Sequence, residues 1–183
     1  MKTVSIFSNP AGRSTEHATA YTAAVLDLLG PADPMRMLHD TPSALTRSIE
    51  ALEATQVSEP EGPGKWSIAQ VLQHLADSEL VWGYRLRMVL AHDRPAITGY
   101  DQDRWATRLH YAEADPQQAI HDFSVLRQAN LRLLGRATAS DLTRVGIHAE
   151  RGEESVAHLI RLYAGHDILH LQQIARIRQA VAG

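Results

Sequence analysis

The stretch "AGHDILHLQQI", Ala164–Ile174, decides how this chain is read. His166 and His170 are four residues apart, about 6 Å of rise along a helix, so a helical segment projects both imidazoles from one face. The run is long enough to be helical. Val156, Leu159, Ile160, Tyr163, Leu169, Ile174 and Ile177 form an apolar stripe through it, and Ser155 offers an N-cap for a helix reaching about Val181. A histidine pair at one-turn spacing is a metal-ligand pattern. It also fits an amphipathic helix that merely carries two histidines.

A third histidine lies upstream in "SIAQVLQHLADSELVW", residues 67–82. Ser67 with Gln70 three later makes a capping box, and Trp66 can staple onto the helix, which then runs to about Ala91. His74 shares a face with Gln70, Ser78 and Val81 and is flanked by Val71, Leu72 and Leu75, so it points inward. A hydrogen-bonded core histidine is one reading of that placement. The other is a set of three inward imidazoles from two helices, which leaves a fourth coordination position open as catalytic zinc sites do.

Working outward, "TEHATAYTAAVLDLL" (15–29) reads as a first helix stopped by Gly30-Pro31. Met35 to His39 reads as a single turn. Thr41-Pro42 then reads as an N-cap with proline in the first helical position, opening a second helix to about Thr55. "QVSEPEGPGK" (56–65) is a surface loop. Residues 92–114 are long for a plain connection, which predicts a functional loop with one turn near Asp101 to Thr107. Asp115-Pro116 with Gln118 starts another helix, which carries Ile120, Phe123, Leu126, Leu131 and Leu134 to about Arg136. The polar segment 137–154 connects it to the last helix. No strand pattern is evident, so the expectation is one all-α domain over 1–183: a helical extension at about 1–32 and a bundle over 33–183.

Composition narrows the functions. The 183 residues carry a formal charge of -3 with no basic cluster, which argues against nucleic acid and anionic membrane as partners. No apolar run is long enough to span a bilayer, and "MKTVSIFSNPAGRS" lacks the apolar core of a signal peptide, so a cytoplasmic location is expected. With no cysteine, a thiolate nucleophile or cysteine-bound zinc cannot come from this chain.

The segments "KWSIAQVLQHLADSELVWGYRLRMVL", "RPAITGYDQDRWA" and "YAGHDILHLQQI" together resemble the DinB-like metal-dependent proteins, in particular the YfiT-like group that includes the bacillithiol transferases. The resemblance runs from about Asp33 onward. It implies a four-helix bundle with an extra N-terminal helix and a long loop over the site. It implies too a divalent metal, zinc or nickel, held by His74, His166 and His170. For function it implies transfer of a low-molecular-weight thiol to an electrophilic small molecule, with the thiol arriving as cosubstrate. A metal-dependent hydrolase is the alternative, and a non-catalytic, stress-associated metal-binding dimer is a third.

Other residues carry two readings each. Asp77, one turn from His74, can orient it or a substrate, or be a solvated acid. Gln173, three after His170, can hold a ring nitrogen or the metal-bound water, or be a surface amide. Tyr100 and Trp105 fall in the long loop and either line the pocket or anchor the loop. Arg85, three turns after His74, either meets an anionic substrate group or is solvated. His17, His39, His92, His110, His121, His148 and His158 are read as bystanders. Relatives of this type are often dimeric, and Met35, Met37 and Leu38 offer spare apolar surface, so a homodimer acting on a small molecule is expected.

Overall fold

The computed structural model describes residues 15–181. In chain order it contains α1 (Thr15–Leu29), α2 (Pro34–Ile49), α3 (Ala54–Ser58), α4 (Ile68–Ala91), β1 (Ala96–Ile97), α5 (Gln102–Arg108) and a 3-10 turn at Tyr111–Glu113. There follow α6 (Pro116–Leu134), α7 (Ala139–Leu142), β2 (Val145–His148), β3 (Gly152–Ser155) and α8 (Val156–Val181). The reading of the first fourteen residues as free of a signal peptide, and the side chain of His17, lie outside what is described. No described helix is long and apolar enough to cross a membrane.

Helices α2 and α4 each pack on both α6 and α8, which closes a four-helix bundle, and α1 lies against α8 as the extra helix. Two large apolar clusters fill the bundle, and a third, of Val25, Leu162 and Leu169, seats α1 on α8. Leu45, Ile68, Leu72, Phe123 and Ile174 belong to one of the large clusters, and Leu38, Trp82, Leu86, Val89 and Leu159 to the other. Between those two clusters, α4, α6 and α8 bury a group of polar residues, among them Ser78, Glu79, Arg127, Asn130 and Asp167. The centre of that group is Arg127 of α6, which is fully buried. Its Nη1 donates to Asp167 Oδ2 of α8 at 2.6 Å, and its Nη2 donates to Asp167 Oδ1 at 3.1 Å and to Glu79 Oε2 of α4 at 2.8 Å. The guanidinium also lies over the Phe123 ring. Burial opposes its charge, but Asp167 and Glu79 more than offset this and raise its pKa.

Several expectations need correction. The helix start at Thr41-Pro42 and the separate turn before it are one continuous helix, α2, capped by Asp33, whose side chain accepts from Met35 N at 2.9 Å. Pro42 sits inside that helix and, lacking an N–H, leaves the Leu38 carbonyl without its usual donor. Arg127 Nη1 supplies the missing hydrogen bond at 2.8 Å, which is why a proline is tolerated there. The helix ends at Ile49, not near Thr55, and residues 54–58 form α3 behind a Glu53–Gln56 capping box. The predicted absence of strands is also wrong in detail. A small sheet pairs β1 with β2 in parallel (Ala96 with Ile147) and β2 with β3 antiparallel (Val145 with Ser155). Gly146 lets it lie on α4, since a Cβ there would meet Ile97 at 2.6 Å and Val89 at 2.8 Å. Ser155 still caps α8, accepting from His158 N at 3.0 Å. Leu38 is fully buried and Met37 packs against the core, so of the three residues read as spare apolar surface only Met35 is exposed.

Candidate metal centre

The capping box at Ser67 fixes the start of α4 and with it the direction of His74, two turns on. On α8, the four-residue spacing turns His166 and His170 toward the same point. The three Nε2 atoms converge there: His166 to His74 at 3.4 Å and His166 to His170 at 3.1 Å. All three ligating atoms lie within 4.8 Å of one another. Two nitrogens bound tetrahedrally to zinc at about 2.0–2.1 Å stand roughly 3.3 Å apart, so the observed spacings suit a single ion. His74 and His170 are buried, and His166 is partly exposed.

The protonation chemistry fits a cation as well. Burial pushes all three imidazoles below their ordinary pKa, His170 to about 4, with mutual repulsion adding to the effect at His74 and His166. They are therefore neutral, the form that ligates metals. Gln173, buried on α8, has its Oε1 2.7 Å from His170 Nδ1. An amide oxygen can only accept, so Nδ1 carries the proton and Nε2 presents its lone pair to the centre.

His166 also lines a pocket whose empty space is about 390 Å³ when counted out to open solvent. Its walls are Tyr21, Ser78, Arg85, Tyr100, Arg151, Leu162 and Tyr163. Ser78 Oγ lies 3.4 Å from His74 Nε2 and 2.7 Å from Tyr100 OH, so a hydroxyl pair borders the centre. Burial raises the pKa of Tyr21, Tyr100 and Tyr163, which keeps these phenols protonated and able to donate.

The residues singled out from sequence fall into place unequally. Tyr100 and Arg85 line the pocket. Trp105 packs tilted against Tyr100 at 4.4 Å between ring centroids but lines a neighbouring, more apolar cleft that shares Arg85 and Tyr100 with the pocket. Asp77 accepts hydrogen bonds from the Tyr111 hydroxyl and from Gln73 Nε2, and among the described residues no hydrogen bond joins it to a histidine. His39, His92, His110 and His121 are exposed, and His158 is paired with Glu154 at 3.8 Å. His148 is buried on β2 with its pKa lowered to about 4 by burial and Arg151. Ser78 and Tyr163 were open to discovery, being one helical turn from His74 and His166. Tyr21 and Arg151 carried no signal, because they arrive from α1 and from the turn between β2 and β3.

The chain is similar to known proteins over most of its length. The family model described as the DinB superfamily matches residues 37–174. A protein of Bacillus cereus (strain 03BB102) is 29% identical over 142 residues, covering 78% of this chain and 82% of its own. A protein of Bacillus thuringiensis subsp. konkukian (strain 97-27) gives the same figures, and both bear names that assign them provisionally as metal-dependent hydrolases. Among solved structures, YfiT from Bacillus subtilis aligns with a TM-score of 0.71 at 26% identity, covering 78% of this chain and 84% of that one. It is described, again provisionally, as a metal-dependent hydrolase with an unusual four-helix bundle topology.

Proposed function

The chain belongs to the DinB superfamily, and on that premise we propose that His74, His166 and His170 hold one divalent ion, zinc or nickel, in an enzyme that joins a low-molecular-weight thiol to a small electrophile. The observation that carries the reading is the convergence of three neutral imidazole nitrogens beside a pocket walled by donors, with His166 in its lining. A divalent ion supplies the positive charge that makes a thiol or a water acidic at neutral pH.

The chain's own groups fit the thiol better than the water. Phenols held protonated, a serine hydroxyl and guanidinium groups stabilise an anion but take no proton, so acidification falls to the ion alone, and a thiol with a free pKa of about 8.5 asks far less of it than water does. A thiolate needs stabilising and positioning only. In the reaction a sulfur–carbon bond forms, the electrophile's leaving group departs with its electron pair, and the thiol proton passes to solvent. Hydrolysis is the second reading, favoured by the provisional names of the relatives.

The test begins with elemental analysis of protein purified without added metal. The loaded enzyme is then offered glutathione with 1-chloro-2,4-dinitrobenzene, and separately p-nitrophenyl acetate without thiol. Conjugation that is lost in His166→Ala supports transfer. Ester cleavage without thiol, equally lost in His166→Ala, replaces transfer by hydrolysis. Protein that binds no divalent ion overturns both.

A further inference from the structure

Arg85 is the one strongly buried cation of the described residues without an anionic partner. Its side chain is only 7% exposed, yet its donors go to neutral oxygens: Nη1 to Tyr163 OH at 3.1 Å and Nη2 to the Thr98 carbonyl at 2.7 Å. Its Nε has no partner at all. The other buried arginine, Arg127, is neutralised by Glu79 and Asp167, and the partly buried Arg151 in the same wall is neutralised by Glu154. A guanidinium keeps its charge throughout the range in which proteins work, so burying one uncompensated is costly and asks for a reason.

The reason lies in the pocket. Arg85 lines it together with the hydroxyls of Tyr21, Ser78, Tyr100 and Tyr163, and none of the wall residues is a carboxylate. We propose that Arg85 is the counter-ion for a carboxylate of the substrate or thiol cosubstrate, so that the pocket takes small carboxylate-bearing molecules with their reacting end toward the histidine triad. The inference rests on the metal-site reading for the direction in which the ligand points, and on Arg85 alone for the charge it carries. The single uncompensated charge decides between anions. One positive charge with a few remaining N–H groups matches a planar monoanion, whereas a phosphate dianion would need a second cation, and Arg151 is already committed to Glu154. The neighbouring phenols can donate to the carboxylate oxygens that Arg85 leaves open.

The test compares butyrate with its isosteric neutral amide, butyramide, by titration calorimetry on metal-free protein, where no ion can attract the carboxylate. Butyrate is expected to bind saturably and about tenfold or more tightly than butyramide, the effect of a charge-assisted hydrogen bond. Arg85→Met should erase that preference and Arg85→Lys should retain part of it. Because Arg85 also ties Thr98 and Tyr163, thermal unfolding of each variant is measured alongside, and the wild-type ratio stands even if Arg85→Met does not fold. Equal affinity of wild type for the two probes, or saturable binding of neither, overturns the proposal. Elemental analysis of the loaded protein tests the triad separately, so a protein that binds metal but shows no carboxylate preference refutes Arg85 alone.

Discussion

Replacing Gly165 by alanine should loosen α1 from the bundle while sparing the metal centre. Gly165 precedes His166 on α8 and lies where α1 crosses closest: a Cβ built there would stand 2.2 Å from the Val25 carbonyl oxygen and 2.9 Å from Val25 Cγ1. The first contact is with backbone, so no rotamer change can relieve it, and α1 must move outward by about 1 Å to restore ordinary separation. Overpacking of this kind costs about 1–3 kcal/mol, and the gain in helix propensity from glycine to alanine returns roughly 0.5–1 kcal/mol. The net loss is on the order of 1–2 kcal/mol. For a chain of this size that lowers Tm by about 2–8 °C. Tyr21 rides on α1, so the pocket should widen, whereas His166 and His170 share α8 and His74 sits on α4, so metal stoichiometry should hold. Thermal unfolding with elemental analysis reads both effects. Gly62→Ala is the control, since a Cβ at that position meets nothing within 4 Å. A Gly165→Ala protein as stable as wild type would refute the close crossing of α1 and α8 and with it the placement of Tyr21 in the pocket.

Other perturbations probe the centre and the buried polar residues. In Gln173→Leu, His170 loses the acceptor that fixes its Nδ1 proton, and zinc affinity measured by chelator competition should fall about 10- to 100-fold; unchanged affinity would remove that role. In metal-free protein the unfolded chain takes up protons on its histidines below about pH 6.5, whereas folded His170 resists until about 4. Stability is therefore fully present above about pH 6.5 and is lost as pH falls toward 4, by about 3 kcal/mol from His170 alone, and a urea midpoint that stays flat or rises from pH 7 to pH 5 contradicts the burial of the triad. Arg127→Met strips the cation from Glu79 and Asp167 and the donor from the Leu38 carbonyl, at a cost of about 3–5 kcal/mol in urea unfolding. Adding Pro42→Ala should return on the order of 1 kcal/mol in that background by restoring the helical donor, and a purely additive pair would show that Arg127 does not serve Leu38.

Sequence alone determined what local spacing can determine. The capping box at Ser67, the Asp115-Pro116 start and the Ser155 cap each act within one helical turn, so α4, α6 and α8 were legible, and the four-residue step from His166 to His170 fixed a shared face before any packing was known. Signals that depend on distant partners were not. Thr41-Pro42 has the local chemistry of a helix start, and only Arg127, 85 residues later, makes it a helix interior. The strand β1 is two residues long and owes its existence to pairing with β2 some fifty residues later, and β2 and β3 form a hairpin of four residues a side, too short to leave a periodicity to read. The meeting of His74 with the α8 pair, the arrival of Tyr21 and Arg151 at the pocket, and the isolation of Arg85 from every described carboxylate are likewise decided by tertiary structure. Helical spacing is set by backbone hydrogen bonds between near neighbours, whereas the convergence of side chains from separate elements is set by how those elements pack.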